Sequence, residues 1–136
     1  MTVDEKKRDL AQYRLRQAEE SLDEAKYLLR GGKSPRSVIN RAYYAMFYAV
    51  LGLLIYEPYS SSKHSGVVSY FNRRFVNEGV FDREHGRALN RAFEMRQRSD
   101  YREYVDLAEG QVGPLVEEAE RFVKAVARHL SAQGRL

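Results

Sequence analysis

Apolar residues recur every three or four positions along almost the whole chain, which is the spacing of one face of an α-helix. The first of these stripes lies between about Asp4 and Arg30 and consists of Ala11, Leu15, Ala18, Leu22, Ala25 and Leu29. Gly31 and Gly32 follow it, and glycine readily adopts the left-handed conformation that ends helices. The pattern predicts a long amphipathic helix over residues 4–30.

A second helix is predicted to begin at Ser34 and Pro35 and to end at about Tyr56, before Pro58. Serine is a good N-cap, and proline suits the first helical position because the N–H that it lacks has no partner there. Residues 42–55 carry no charge, so apolar side chains nearly encircle the helix axis. This helix is therefore central in the fold or is covered on one side by another subunit.

One narrow strip of this helix differs from the rest. Arg41, Ala45, Tyr48 and Gly52 share a face, with Tyr44 at its edge. The small residues would let another helix approach closely, and the polar ones could instead line a site. Both interpretations stay open.

Three further helices are predicted in the second half of the chain. The third covers about Lys63 to Asn77, and the fourth runs from an N-cap at Asp82 to about Ser99. The fifth covers about Leu107 to Ser131, where Asp106 and Glu109 resemble a capping box and Gly113-Pro114 should kink or restart the helix. No segment alternates as a strand would. The prediction is one all-α domain over residues 1–136, an up-and-down bundle of about five helices.

The composition excludes several kinds of protein. The 136 residues suffice for one domain, and a hydrophobic fraction of 43% supports a packed core. The absence of cysteine excludes disulfides, thiolate zinc sites and cysteine nucleophiles, and three dispersed histidines do not suggest a metal cluster. We therefore expect no metal and no cofactor. No apolar run is as long as a membrane span and the N-terminus is charged, so we expect a soluble cytoplasmic protein without a secretory signal.

The net charge of +4 is only mildly basic, but its source is informative. Of the 23 basic residues, 17 are arginines. Arginine carries a planar fork that binds phosphate and carboxylate in a bidentate manner. A genome rich in G and C would favour arginine codons as well, so composition alone does not decide between the two explanations.

The predicted fourth helix concentrates these arginines on one side. Within an arc of about 100° lie Arg83, Arg87, Arg91, Arg98 and Arg102. A basic stripe of this kind can follow a phosphate backbone. It can equally be an ordinary solvated face, since Glu84 and Glu94 are near enough to pair with some of its members.

Arg96 points the opposite way, toward the apolar face beside Leu89 and Phe93. An unpaired buried charge costs several kcal/mol, so a partner is required. Asp100 lies four residues later and is the local candidate, while Tyr43, Tyr44 and Tyr48 offer hydroxyl groups. Arg96 is then either part of a buried ion pair that fixes the end of the helix, or an arginine directed into a cleft where it can bind phosphate.

The histidines offer little chemistry by themselves. His64 shares a face with apolar residues of the third helix and is expected to be a core or helix-start residue, while His85 and His129 are expected at the surface. No phosphate-binding glycine loop is present, because Gly31-Gly32 follows a helix rather than a strand. No Glu-x-x-His motif indicates a di-iron bundle.

Three segments together resemble the HEPN family, in particular its small prokaryotic members whose genes often adjoin a minimal nucleotidyltransferase. They are RAYYAMFYA at 41–49, KHSGV at 63–67 with Phe71 downstream, and FEMRQRSDY at 93–101. The resemblance spans about Leu10 to Leu130. It implies a four-helix core plus a short helix, and usually a homodimer. Many members are metal-independent endoribonucleases, often toxins paired with a nucleotidyltransferase antitoxin.

The resemblance also implies a site in which an arginine is followed, after four to six residues, by a histidine, with the two copies meeting across a dimer cleft. Arg96 matches the arginine, but positions 101–103 hold Tyr101, Arg102 and Glu103. The usual histidine is therefore missing. RNA cleavage through the ribose 2′-OH needs groups that exchange a proton near neutral pH. Tyrosine normally titrates near pH 10 and aspartate near pH 4, so neither replaces histidine directly.

Our hypothesis is a HEPN-type homodimer that binds RNA or a nucleotide at an arginine-lined cleft and works with a nucleotidyltransferase in a toxin–antitoxin-like pair. The candidate catalytic residues are Arg96, Asp100 and Tyr101, and the candidate nucleic-acid contacts are Arg41, Tyr48, Arg91 and Arg98. One alternative is a scaffold that only makes protein–protein contacts. Another is a metal-independent endoribonuclease whose variant site uses Asp100 and Tyr101.

Overall fold

A computed structural model describes residues 1–104 and 109–136 of the chain. The main helices are α1 (Val3–Arg30), α2 (Pro35–Leu54), α3 (His64–Tyr70), α4 (Arg83–Arg98) and α5 (Val112–Ala132). A π-helical segment (Phe71–Val76) continues α3, and a 3₁₀ turn (Glu109–Gln111) precedes α5. The described ranges contain no strand, so the prediction of an all-α bundle is confirmed.

The helix ends follow from local chemistry. The Ser34 hydroxyl accepts a hydrogen bond from the Ser37 N–H at 3.3 Å, and Pro35 opens α2, as predicted. After α1, Gly32 has a φ of 65°, a left-handed conformation that glycine adopts without strain. Asp82 is the N-cap residue of α4, which ends one residue before Ser99.

The beginning of the last helix is only partly testable. The predicted start at Leu107 and the residue Asp106 of the capping box lie outside the described residues. In the described part, α5 begins at Val112 and carries Pro114 in its first turn, where a proline is tolerated. The start of α5 thus lies next to the predicted kink or restart at Gly113-Pro114, and the first residues of the predicted helix lie outside the described ranges.

Helix α2 is the central element of the bundle, since it packs against α1, α4 and α5. The largest fully buried side chains come from several helices and include Tyr43, Ile39, Met46, Phe71, Leu89 and Phe122. None of the helices within the described ranges combines the length and the apolar character that a membrane crossing requires.

The strip of small residues on α2 packs within the chain. A Cβ atom at Gly52 would lie 2.6 Å from Cδ2 of Leu15, so α1 approaches α2 closely at this point. Ala45, on the same face, is fully buried. The predicted close approach of a helix is thus confirmed, but the helix is α1 of the same chain. The small residues of the strip are therefore used within the chain and do not favour the scaffold alternative.

Two histidines differ from their predicted surface positions. The ring of His129 meets the ring of Phe81 edge-on at 5.2 Å and is half-buried. The His85 side chain is only 14% exposed. Both histidine rings contact a cluster of aromatic rings formed by Phe71, Phe81 and Phe122, which joins the π-helical segment to α5. These contacts connect distant segments of the chain, so local spacing does not reveal them.

Candidate anion-binding site

An open groove of about 860 Å³ lies where the end of α1, the first turns of α2 and the end of α4 meet. Three arginines line it, and the remaining lining residues are mostly polar. The complete lining consists of Leu28, Arg36, Ser37, Asn40, Arg41, Arg96, Gln97, Ser99 and Asp100. A groove of this size with three guanidinium groups has the charge and the donors to hold a phosphate-bearing ligand.

Arg96 is fixed in this groove by two tyrosines of α2. Its guanidinium carbon lies 5.4 Å from the ring centre of Tyr43 and 5.2 Å from that of Tyr44. One terminal N–H group donates to the Tyr44 hydroxyl at 3.2 Å. The prediction that a tyrosine of the second helix would act as acceptor is confirmed.

Most of the hydrogen-bonding capacity of Arg96 is unused. Of its five N–H donors, only the one on Tyr44 has a protein partner among the described residues, and Nε is sealed from solvent without an acceptor. A half-buried guanidinium in this state is incompletely compensated, so an anion in the groove would stabilise it.

Arg41 contacts the ring of Tyr44 as well. Its guanidinium carbon lies 5.3 Å from the ring centre of Tyr44. Two of its nitrogens donate to Oδ1 of Asn40, at 3.1 and 2.7 Å, and a third lies 3.8 Å from Glu24. Tyr44 is therefore contacted by two guanidinium groups, and their mutual repulsion favours an anion between or beside them.

The prediction that Asp100 would be the ion-pair partner of Arg96 is wrong. Asp100 instead pairs with Arg36 at 2.5 Å, with both side chains well exposed, at 69% and 63%. The reason is that α4 ends at Arg98, so Asp100 does not continue the face of Arg96. The Ser99 hydroxyl donates to the carbonyl of Arg96 at 2.6 Å and closes this helix end. Asp100 thus lies at the mouth of the groove.

The other candidate residues are not all brought to the groove. Tyr101 is 70% exposed and lies beyond the lining, although it directly follows Asp100. Tyr48 is half-buried, and its ring centre lies 5.5 Å from that of Tyr44, so it contacts a residue of the site without lining the groove.

Arg91 and Arg98 lie outside the groove lining and are paired with carboxylates elsewhere on the surface. Arg91 reaches Glu118 at 3.3 Å, and Arg98 reaches Glu94 at 3.3 Å.

His64 lies beside Tyr43 and Tyr44, the two tyrosines that contact Arg96, and the sequence alone did not establish this position. It is the first residue of α3 and half-buried, as expected. Its Nδ1 lies 2.9 Å from the hydroxyl of Tyr43, and its ring stacks on that of Phe47 at 4.1 Å. Burial lowers the pKa of His64, and the positive charge of Arg96 lowers it further. The only sequence signal was its place in the second HEPN-like segment.

Arg36 was also missed. In sequence it is an ordinary charged residue in the first turn of a helix, and only the packing of α4 beside α2 places it opposite Asp100. A local pattern cannot reveal this contact, because 64 positions separate the two residues.

The fold and the groove define the class of this protein: a small helical bundle with an arginine-lined site at the junction of three helices. The HEPN domain model matches residues 11–130, and the chain belongs to the HEPN family. This agrees with the predicted extent of about Leu10 to Leu130.

Relatives that match most of this chain support the assignment. The chain is 43% identical over 122 residues to a UPF0332 protein of Thermotoga maritima, which covers 90% of this chain and 92% of the relative. It is 34% identical over 113 residues to a protein of Methanocaldococcus jannaschii named as a candidate toxin, covering 83% of each. A second candidate toxin of that organism is 29% identical over 85% of this chain and 78% of the relative.

Proposed function

We propose that this protein is a toxin-like HEPN protein that binds RNA, or a nucleotide, through the arginine-lined groove. The observation that carries the proposal is the convergence of Arg36, Arg41 and Arg96 on one open cavity, with the donors of Arg96 largely unused. A phosphodiester offers paired oxygen acceptors that match the arginine fork. The names of the two Methanocaldococcus relatives support the toxin-like part of the proposal.

Binding is favoured over cleavage by the chemistry at the groove. Its lining contains no histidine, and the carboxylate of Asp100 is engaged by Arg36. Tyr101 lies outside the lining. Among the described residues, the groove lining does not bring a general base and a general acid that work near neutral pH to Arg96, whereas it does supply charge stabilisation by arginine. Endoribonuclease activity with a variant site is the second candidate, since the candidate-toxin relatives are compatible with it.

We further propose that two copies form a homodimer, and that the dimer works with a nucleotidyltransferase as partner in a toxin–antitoxin-like pair. The support for the dimer is membership of the HEPN family, whose members usually form homodimers. Sedimentation velocity of the purified chain tests the dimer, and a single species at the monomer mass would remove it from the proposal.

The test of RNA binding is fluorescence anisotropy with a labelled single-stranded RNA across a salt series. The affinity of the wild-type protein should fall steeply with salt, because bound phosphates release counterions. The double variant Arg36→Ala/Arg41→Ala should bind at least about tenfold more weakly at low salt. Its salt slope should be shallower by about 0.7 for each phosphate that the variant no longer neutralises.

The matched control is Arg83→Ala/Arg87→Ala, which removes the same net charge from exposed positions of α4. It should change the affinity little. Equal losses in both double variants would mean that only net charge matters, and an absence of RNA binding by the wild-type protein at low salt would refute the proposal outright. Thermal melts of each variant show whether the fold is retained.

A further inference from the structure

A second cavity, of about 360 Å³, lies at the other end of α2. Its walls include Phe47, Leu51 and Tyr59, and its polar groups include Arg14, Ser61 and His64. Apolar walls with a few converging polar groups, in a volume of this size, are typical of pockets that bind small organic groups.

The rings around this cavity are held firmly. His64 stacks on Phe47 with 22° between the ring planes, and Tyr59 stacks on Tyr70 at 4.4 Å with 7° between them. The Tyr70 hydroxyl in turn donates to Glu57 at 2.7 Å. Flat, immobilised rings at the wall of a pocket are suitable surfaces for stacking a nucleobase.

The hydrogen bond between Tyr43 and His64 determines which nitrogen of His64 carries the proton. Burial raises the pKa of Tyr43, so it remains a phenol, and Nδ1 of His64 is its hydrogen-bond partner among the described residues. The phenol therefore donates to Nδ1, and the neutral imidazole carries its proton at Nε2.

Nε2 is the nitrogen available to a ligand. Among the described residues it has no hydrogen-bond partner, and it is not one of the unpartnered atoms sealed from solvent. If the ring becomes charged, Nδ1–H donates back to the oxygen of Tyr43 and Nε2 still carries a proton. His64 thus presents an N–H donor in both states, which suits recognition of an acceptor and does not suit a general base.

The cavity and the arginine groove lie along one face of α2. From Arg41 the face continues through Tyr44 and Tyr48 to Leu51 at steps of three or four residues. Leu51 follows Arg41 by ten positions, about 15 Å along the axis. The Tyr44 ring between them contacts Arg96 on one side and meets His64 edge-on at 5.9 Å.

We propose that the cavity is a nucleobase subsite: it holds a base of the same single-stranded RNA whose phosphates lie in the arginine groove, with Nε2–H of His64 donating to an acceptor on the edge of the base. This inference rests on the proposed function. The Ser61 hydroxyl accepts from the N–H of Lys63 at 3.0 Å and keeps its own proton to donate to the same base.

The test compares a short single-stranded RNA with an abasic oligomer of the same length, which keeps the phosphates and lacks the bases. Both are labelled and titrated by fluorescence anisotropy at one low salt concentration. The wild-type protein should bind the RNA about tenfold more tightly than the abasic oligomer, as stacking of one base implies. Arg41→Ala should weaken binding of both oligomers by the same factor.

Leu51→Trp fills the cavity, and it should abolish the preference for RNA while leaving the affinity for the abasic oligomer unchanged. The matched control is Tyr27→Trp, which places the same side chain at a position that is 69% exposed in the wild-type protein. His64→Gln keeps an N–H donor and should retain part of the preference, whereas His64→Leu should lose it.

The outcomes separate the two proposals. Equal wild-type affinities for both oligomers, with a steep salt dependence, would overturn the base subsite and leave phosphate binding intact. No binding of either oligomer would overturn both. A Leu51→Trp variant that loses the preference only because it changes from dimer to monomer in sedimentation would show that a second copy occupies the cavity, which also overturns the subsite.

Discussion

Helix α4 carries arginines in two environments, and the difference between them is informative. Arg96 is half-buried against two tyrosine rings and has a phenol as its partner. Arg91 and Arg98 are exposed, and each lies 3.3 Å from a glutamate. All three have the same chemistry and lie within eight positions of the same helix.

A carboxylate partner changes what an arginine can do. Arg98 is well exposed and shares its charge with Glu94, so a phosphate that approaches it gains less electrostatic energy than a phosphate at half-buried Arg96. Arg96 has no such partner among the described residues, and its environment excludes part of the water that would screen its charge. The number of arginines in the helix is therefore a poor guide to the site, and their pairing is a better one.

The largest effect should come from removing the charge of Arg96. Arg96→Met keeps the bulk of the side chain against Tyr43 and Tyr44, and should weaken binding of single-stranded RNA by about tenfold or more, since hydrogen bonds to charged groups contribute about 1.5–3 kcal/mol. Arg98→Met should change the affinity less than about twofold, because that charge is already paired.

Equilibrium titrations of the two variants under identical salt measure this contrast. If Arg98→Met costs as much affinity as Arg96→Met, the paired and unpaired arginines are equivalent and the groove has no special role. If Arg96→Met lowers the melting temperature sharply, Arg96 is a structural residue that fixes the end of α4.

A smaller effect of opposite sign is expected at the mouth of the groove. Asp100→Asn removes the carboxylate that competes with phosphate for Arg36, and it makes the local potential more positive. RNA affinity should rise by about threefold, while stability should hardly change because an exposed ion pair contributes only about 0–1 kcal/mol. A loss of RNA affinity in this variant would assign Asp100 a direct role in binding.

The replacements of Arg96 and of Arg98 should also differ in their effect on the pKa of His64. Burial and then the charge of Arg96 lower its pKa in the folded state. Arg96→Met should therefore raise the pKa of His64 part of the way toward the usual value of about 6.5, whereas Arg98→Met should leave it unchanged. A histidine-resolved NMR titration measures both, and an unchanged His64 pKa in Arg96→Met would separate the two residues electrostatically.

Because folding lowers the pKa of His64, the free energy of unfolding depends on pH. A histidine whose pKa is lowered by folding binds fewer protons in the folded state than in the unfolded state below about pH 6.5, so the free energy of unfolding falls as the pH drops from 7 toward 5. His129 contributes in the same direction, because burial and the charges of Arg135 and Arg74 lower its pKa. The loss should be smaller in Arg96→Met than in Arg98→Met, as chemical denaturation at the two pH values will show.

The fold could be predicted closely from the sequence because its determinants are local. The apolar spacing from Ala11 to Leu29 predicts a helix over 4–30, and the structure has Val3–Arg30. Ser34-Pro35 predicts the start of α2 through capping geometry alone. The π-helical form of the six residues that follow α3 was not predicted. This segment lies close to α4, where a Cβ at Gly86 would be 2.6 Å from Oδ1 of Asn72, and local spacing does not encode such a contact between elements.

The site was predictable only in part. Arg96 could be placed because its position on the helical wheel conflicts with its charge, and such a conflict marks a residue that needs a special partner. The pairing of Asp100 depended on where α4 ends, which sequence patterns give to within a few residues at best. The contact between His64 and Tyr43 joins two different helices, and the two residues are 21 positions apart. The spacing of residues within either helix therefore does not predict it.

The smallest effect is expected when the carboxylate partner of an exposed arginine is removed and the arginine itself is kept. Glu94→Gln removes the partner of Arg98 without changing any arginine, so it converts a paired arginine into an unpaired one at an exposed position. RNA affinity should rise by less than about twofold, because Arg98 remains solvated and lies outside the groove. The increase should disappear in about 0.5 M salt, where the screening length is only a few ångströms. A gain as large as that expected for Asp100→Asn would mean that the RNA extends from the groove onto the exposed arginine face of α4, and the track of phosphates would then be longer than the three groove arginines define.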